Sequence, residues 1–169
     1  AEDPHGRIKG FALLSHDAQL KFCYLDYISA AKNITGGGIG GALYEHLREE
    51  ALSLGVYGIF FECLPDDPQL CKDPEILKQN RARLKFYESY QAYPIVGTDY
   101  ETPVKPEDID NPPYLVCDPL GQAEPLAAEA ARKIVRAILE RRYGHLCPKD
   151  YIERVVASFV DEPIKLRAP

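Results

Sequence analysis

NITGGGIGGALYEHLREEA, residues Asn33–Ala51, places five glycines within six positions directly before a strongly helical segment. Glycine loses the most conformational freedom on ordering, and the residues that follow are among the best helix formers. One or two glycines suffice for a tight turn. Gly36, Gly37, Gly38, Gly40 and Gly41 together imply that something approaches the backbone there. Amide groups of a small-residue loop, added to the positive end of a helix dipole, form an anion site, most often for phosphate. Asn33 and Thr35 are candidate caps for the helix.

Outward from this stretch the chain alternates strand and helix patterns. Arg7–Asp17 and Leu20–Ala30, joined by a polar turn, read as an antiparallel pair rich in aromatic and β-branched residues. Apolar residues recur at helical spacing from Ile39 to Leu54, with Gly55 placed to end the helix. Val56–Leu64 is a short apolar run, expected to be a buried central strand. Glu75–Ala92 is a helix announced by Asp73-Pro74, and Tyr93–Thr98 and Tyr114–Leu120 read as strands. Pro125–Gly144 is amphipathic helix, and Pro148–Glu162 is a last helix opened by proline. The closing DEPIKLRAP looks like a linker to a further domain. The order is β-β-loop-α-β-α-β-β-α-α, a mixed α/β chain.

Composition narrows the function. With 169 residues, 46% of them apolar, the chain can build one packed domain with an appendage. The formal charge of −6 and the lack of a Lys/Arg block argue against nucleic acid as a partner. No apolar run is long enough to span a bilayer, so no membrane partner is expected. Five scattered cysteines, with no C-x-x-C spacing, indicate neither zinc nor a disulfide framework and fit reduced thiols in the cytoplasm. The four histidines are isolated, so no metal site is expected.

Two phosphate-binding architectures compete for the glycines. Gly36-x-Gly38-x-x-Gly41 matches the dinucleotide fingerprint, with Glu62 near the position of a ribose-binding acid. Five residues, Ala31 to Thr35, separate that motif from its strand, which counts against it. A Walker loop is excluded, because no Gly-Lys-Ser/Thr follows. Thr35 to Leu43 resembles motif A of the GCN5-related N-acetyltransferases (GNAT), Q/R-x-x-G-x-G/A, with Gly38 and Gly40 at its glycine positions. Asn80, seven residues before Tyr87 in Phe86-Tyr87-Glu88, resembles the second signature of that family. The resemblance covers roughly residues 7–120. Thr35 stands in place of the family's Gln/Arg, and Gln91-Ala92 in place of its Gly-Phe. The family's first strand and two helices have no counterpart before Ala1.

The resemblance implies a mixed, mostly antiparallel central sheet flanked by helices. Residues 1–120 would form the acetyltransferase-like core and 121–169 a C-terminal helical extension and tail. It implies acetyl transfer from acetyl-CoA to a primary amine by direct attack. Thr35, Gly36, Gly37, Gly38, Ile39, Gly40 and Gly41 would hold the pyrophosphate. Backbone near Ile28 and Ala30 would hold the pantetheine arm, where the second strand splays from the third. Asn80 would orient the arm or a water, Tyr87 would protonate the leaving thiolate, and Asp26 or Glu62 would serve as base. Cys63 reads as a buried inert thiol rather than a nucleophile. The alternatives are a non-catalytic coenzyme-A-binding module of the same fold and, less favoured, a Rossmann-like dinucleotide domain. The amine, a homodimer and a further domain stay open.

Overall fold

A computed structural model describes residues 1–2, 4–31, 38–101 and 112–168, which fall into two compact units, Ala1–Phe61 and Glu62–Pro169. Its strands form a mixed, mostly antiparallel five-stranded sheet in the order β1-β2-β3-β5-β4. These are β1 (Gly10–Asp17), β2 (Phe22–Ala30), β3 (Ile59–Cys63), β4 (Tyr93–Pro94) and β5 (Tyr114–Asp118). The helices are α1 (Ile39–Ser53), α2 (Pro74–Glu88), α3 (Ala128–Tyr143) and α4 (Lys149–Ala157). The element order expected from the sequence is the order found.

In the first unit β1 and β2 form an antiparallel hairpin. Its turn is set by Asp17, whose Oδ1 accepts the Leu20 N–H at 2.8 Å, and by Lys21 at φ 53°. Ile59, Phe60 and Phe61 are all buried, as befits a central strand parallel to its neighbour β2. Helix α1 buries Tyr44 and Ala51, and the Tyr44 ring meets Phe61 edge-on at 6.2 Å. Gly55, at φ 65°, follows the helix end as expected. Phe11 and Tyr27 stack at 5.4 Å and lie more than half exposed.

In the second unit Asp73 caps α2, its Oδ1 accepting the N–H groups of Glu75 and Ile76 at 2.9 and 3.0 Å. The N–H of Ala128 at the start of α3 donates to Glu162 Oε2, a carboxylate from far along the chain. Ala131, Ile134, Val135 and Ile138 bury one face of α3, as its periodicity predicts. Two expectations need correction. The strand over Tyr93–Thr98 is only Tyr93–Pro94, and Gly97 turns the chain at φ 77°. The closing segment is not a free linker. Leu166 bridges Ile95, the Arg167 N–H donates to the Pro94 C=O, and the Arg167 guanidinium binds Asp66 and Glu88. Alternating Ile164 and Leu166, with a paired Arg167, make a strand-like strap out of a composition that reads as loop.

Gly10 marks the tightest approach in the first unit. A Cβ there would stand 2.8 Å from Ser29 O, 2.9 Å from Leu43 Cδ1 and 3.2 Å from Ile39 Cγ2. Helix α1 therefore lies directly on β1. Gly10→Ala is expected to cost about 1–3 kcal/mol by overpacking, read as a lower urea midpoint with an unchanged slope.

Candidate functional site

The edge of β2 is shaped by one extra residue. Leu13 pairs with Tyr27 and Leu14 with Leu25, so Asp26 has no opposite number and forms a bulge. Before the bulge the odd residues face β3, and the Cys23 N–H donates to the Gly58 C=O at 3.1 Å. After it the parity changes. The Ala31 N–H donates to the Lys9 C=O at 2.8 Å, so Gly10/Ala30 and Ala12/Ile28 are the non-hydrogen-bonded pairs of the ladder. Gly10 agrees, since its N–H and C=O turn to Ala1 instead. The backbone groups of Ile28 and Ala30 therefore point away from β1.

The neighbour on that side has already parted. The parallel register joins Cys23 to Ile59 and Tyr24 to Phe60 and stops there, while β2 continues to Ala30. Ile28 is half-buried and Ala30 exposed. Asp26 itself is half-buried and accepts a hydrogen bond from the Ser15 hydroxyl.

Of the glycine stretch, Thr35, Gly36 and Gly37, with Asn33, lie outside the described residues. Gly38 is the N-cap of α1 at φ 71°, and among the described residues no side chain caps that helix start. Its first turn contains no acidic residue. Among the described residues, a Cβ on Gly38 or Gly40 would meet nothing within 4 Å. Ile39, Gly40 and Gly41 form the first turn, all half-buried. A helix start without a side-chain cap has amides available to an anion.

In the second unit, Asn80, Leu84 and Tyr87 are the buried residues of α2. Their spacing is that of one helix face, which explains physically why Asn80 and Tyr87 stand seven apart. Asn80 Nδ2 donates to the Pro65 C=O at 2.8 Å, which ties α2 to the loop after β3. Burial, with the neighbouring Cys63 adding to it, pushes the Tyr87 phenol well above the usual tyrosine range. That phenol stays protonated at neutral pH.

Glu62, at the end of β3, is half-buried and held by two tyrosines. The Tyr100 hydroxyl donates to Oε1 at 2.5 Å and the Tyr143 hydroxyl to Oε2. Sequence reasoning missed both. They lie 38 and 81 residues from Glu62, and no motif or periodicity links them. Among the described residues no group of His, Cys, Asp and Glu is placed to hold a metal, and no helix is long and apolar enough to cross a membrane.

Residues 1–72 match the model described as the acetyltransferase (GNAT) family. The fold is that of the GNAT acetyltransferases. Three solved structures carry the likeness. Ribosomal-protein-S18-alanine N-acetyltransferase from Escherichia coli is 21% identical with a TM-score of 0.51, over 72% of this chain and 68% of that one. An aminoglycoside 6'-N-acetyltransferase complexed with coenzyme A is 17% identical with a TM-score of 0.53, over 73% and 72%. A putative GNAT acetyltransferase from Bacteroides thetaiotaomicron is 22% identical with a TM-score of 0.53, over 84% and 70%. A search of curated proteins found no match. At these identities the likeness is one of fold, and it excludes the doubly wound dinucleotide architecture weighed from the glycine spacing.

Cys63 sits beside Tyr87 but is not built as a nucleophile. It is 2% exposed, and burial pushes its thiol up to about 12. Cys71 is half-exposed. At pH 8, iodoacetamide is expected to alkylate Cys71 well before Cys63, as mapped by peptide mass spectrometry. Rapid labelling of Cys63 would contradict the burial.

Proposed function

We propose that this GNAT fold is an acetyl-CoA-dependent N-acetyltransferase acting on a primary amine. The observation that carries the reading is the free edge of β2. A bulge turns the backbone of Ile28 and Ala30 away from β1, beyond the last β2–β3 pair, in the same unit as an α1 N-terminus that no side chain among the described residues caps. That combination suits an elongated ligand with an anionic end and an amide-bearing arm. The GNAT structure solved with coenzyme A is in keeping with such a ligand.

The coenzyme, when bound, supplies the acetyl group as an activated thioester. The chain supplies the rest. Amides of Gly36 to Gly41, with Thr35, hold the diphosphate, and the start of α1 at Ile39 adds its dipole. Ile28 and Ala30 bond the arm, and an N–H there steadies the carbonyl oxygen as it gains charge. Amines of the lysine type have pKa values of roughly 10.4, so the acceptor must lose a proton before or as it attacks. Asp26 and Glu62 are the carboxylates for that task. The amine nitrogen bonds the acetyl carbon, the carbon–sulfur bond breaks with its electron pair on sulfur, and Tyr87 gives that sulfur a proton. Asn80 steadies α2 and orients the arm.

Release of free thiol from acetyl-CoA with a panel of primary amines tests the reading. A non-catalytic coenzyme-A-binding module would show a thermal shift with acetyl-CoA and no turnover. Tyr87→Phe is expected to lower kcat by about 10²–10⁴-fold with acetyl-CoA binding retained. An unchanged rate would remove the acid assignment.

Gly40→Ala separates stability from binding. The site has room for the methyl, and alanine in a helix is favoured by roughly 0.5–1 kcal/mol. The free protein is expected to melt higher, while calorimetry shows weaker acetyl-CoA binding. Unaltered affinity would place the ligand elsewhere.

A further inference from the structure

We propose that Tyr100 and Tyr143 are positioning residues that fix the Glu62 carboxylate as the group taking the acceptor's proton. This rests on the transferase reading above and chooses between its two carboxylates. Asp26 accepts from Ser15, its neighbour across the hairpin. Glu62 is gripped at both oxygens by phenols from two separate parts of the chain, one before β5 and one at the end of α3.

Two donors leave such a carboxylate able to act. An ionised carboxylate has about four lone-pair sites, and Tyr100 and Tyr143 occupy one on each oxygen. The remaining lone pairs have their direction set, because the carboxylate plane can no longer rotate. The step balances simply. The acceptor's ammonium proton passes to a free Glu62 lone pair, leaving a neutral amine and a carboxylic acid, and the acid returns the proton to water after transfer.

The surroundings are aromatic and weakly polar. Burial pushes Tyr143 up to about 12, with the Glu62 bond adding to the effect and Arg142 opposing it. The charge of Glu62 also raises the Cys147 thiol and, with Asp99, the Tyr151 phenol, behind burial in each case. Arg154 lies over the Tyr151 ring at 5.2 Å and pulls the other way. Tyr143, Cys147 and Tyr151 all come from the segment beyond residue 120, far outside the stretch that matches the GNAT family.

The test uses the full chain with Glu62→Gln, Tyr100→Phe, Tyr143→Phe and the double variant Glu62→Gln/Tyr143→Phe. Each is first checked for folding by circular dichroism. With the amine turned over best, Glu62→Gln is expected to lower kcat about 100-fold. Tyr143→Phe should lower it about tenfold, the scale of one hydrogen bond to a charged group. The KM for acetyl-CoA stays unchanged in both. Adding Tyr143→Phe to Glu62→Gln should change kcat less than about twofold, because the phenol acts through the carboxylate. Multiplying losses, or full activity in Glu62→Gln, overturn the proposal. Should Tyr143→Phe fold poorly, Tyr100→Phe takes its place, with the same tenfold loss expected.

A second readout needs no turnover. Tyrosinate absorbance, taken as wild type minus Tyr143→Phe, should show one phenol titrating near 12. In the Glu62→Gln background the same difference should move down by part of the shift only, because burial, its larger cause, remains. An unmoved titration means that the bond is absent and the clamp fails. A wild type that binds acetyl-CoA yet acetylates no amine overturns the transferase reading and the catalytic role of the clamp together. The titration then judges only whether the clamp exists.

Discussion

The ladder between β1 and β2 cannot keep one register along its length, because Asp26 is an extra residue on one side of it. Strict alternation from Cys23, whose N–H reaches Gly58, would turn Tyr27 and Ser29 toward β3 and aim Ile28 and Ala30 at β1. The bulge reverses this. It also falls close to the point where the β2–β3 pairing ends at Tyr24 and Phe60. Unpaired backbone at a strand edge is a liability unless something covers it. A parity switch beyond the last β2–β3 pair makes the outward-facing amides those of Ile28 and Ala30, the residues to which the proposed reading gives the coenzyme arm.

Much of the architecture was legible because it rests on local signals. Asp73-Pro74 announces α2 through a cap whose Oδ1 does accept two helix amides. The pattern from Ala131 to Ile138 gives the buried face of α3. Gly38 occupies a left-handed conformation that other residues adopt at a cost, as a glycine-rich helix start suggests. What stayed hidden depends on distant partners. Asp26 looks like any polar residue in an alternating strand, and only the register with Leu13 and Leu14 reveals the bulge. Tyr100 and Tyr143 look like ordinary aromatics until Glu62 is placed between them. The strap at Ile164–Arg167 hides behind proline-flanked, loop-like composition, because its partners Ile95, Asp66 and Glu88 are scattered over the chain.

The motif around Asn80 and Tyr87 shows a signature doing two jobs. The seven-residue spacing keeps both on the buried face with Leu84, so packing alone would preserve it. Asn80 uses its amide to hold the Pro65 carbonyl, which is a structural duty. Tyr87 is different in kind. Its hydroxyl sits at the end of a buried ring, where the loss of water favours the neutral phenol. A group held neutral well beyond physiological pH is a poor base, which is in keeping with the proton-donor role proposed for Tyr87.

The two units differ in what builds their candidate sites, and this bears on where the family match stops. In the first unit the candidate binding features are backbone: a bulge, the stretch of β2 beyond its last pair with β3, and the start of α1. Such features constrain glycine positions and strand register, which are regular enough for a family model to read, and the match covers residues 1–72. In the second unit the features are side chains brought together across 38 and 81 residues of sequence. Backbone amides suit a ligand that never changes, because nearly any side chain can stand around them. A carboxylate aimed by two phenols suits a ligand that differs between enzymes, because replacing one ring redirects it without disturbing the sheet. On the proposed transferase reading, the segments around Tyr100 and Tyr143 would aim the carboxylate that meets the acceptor, and both lie outside the family match.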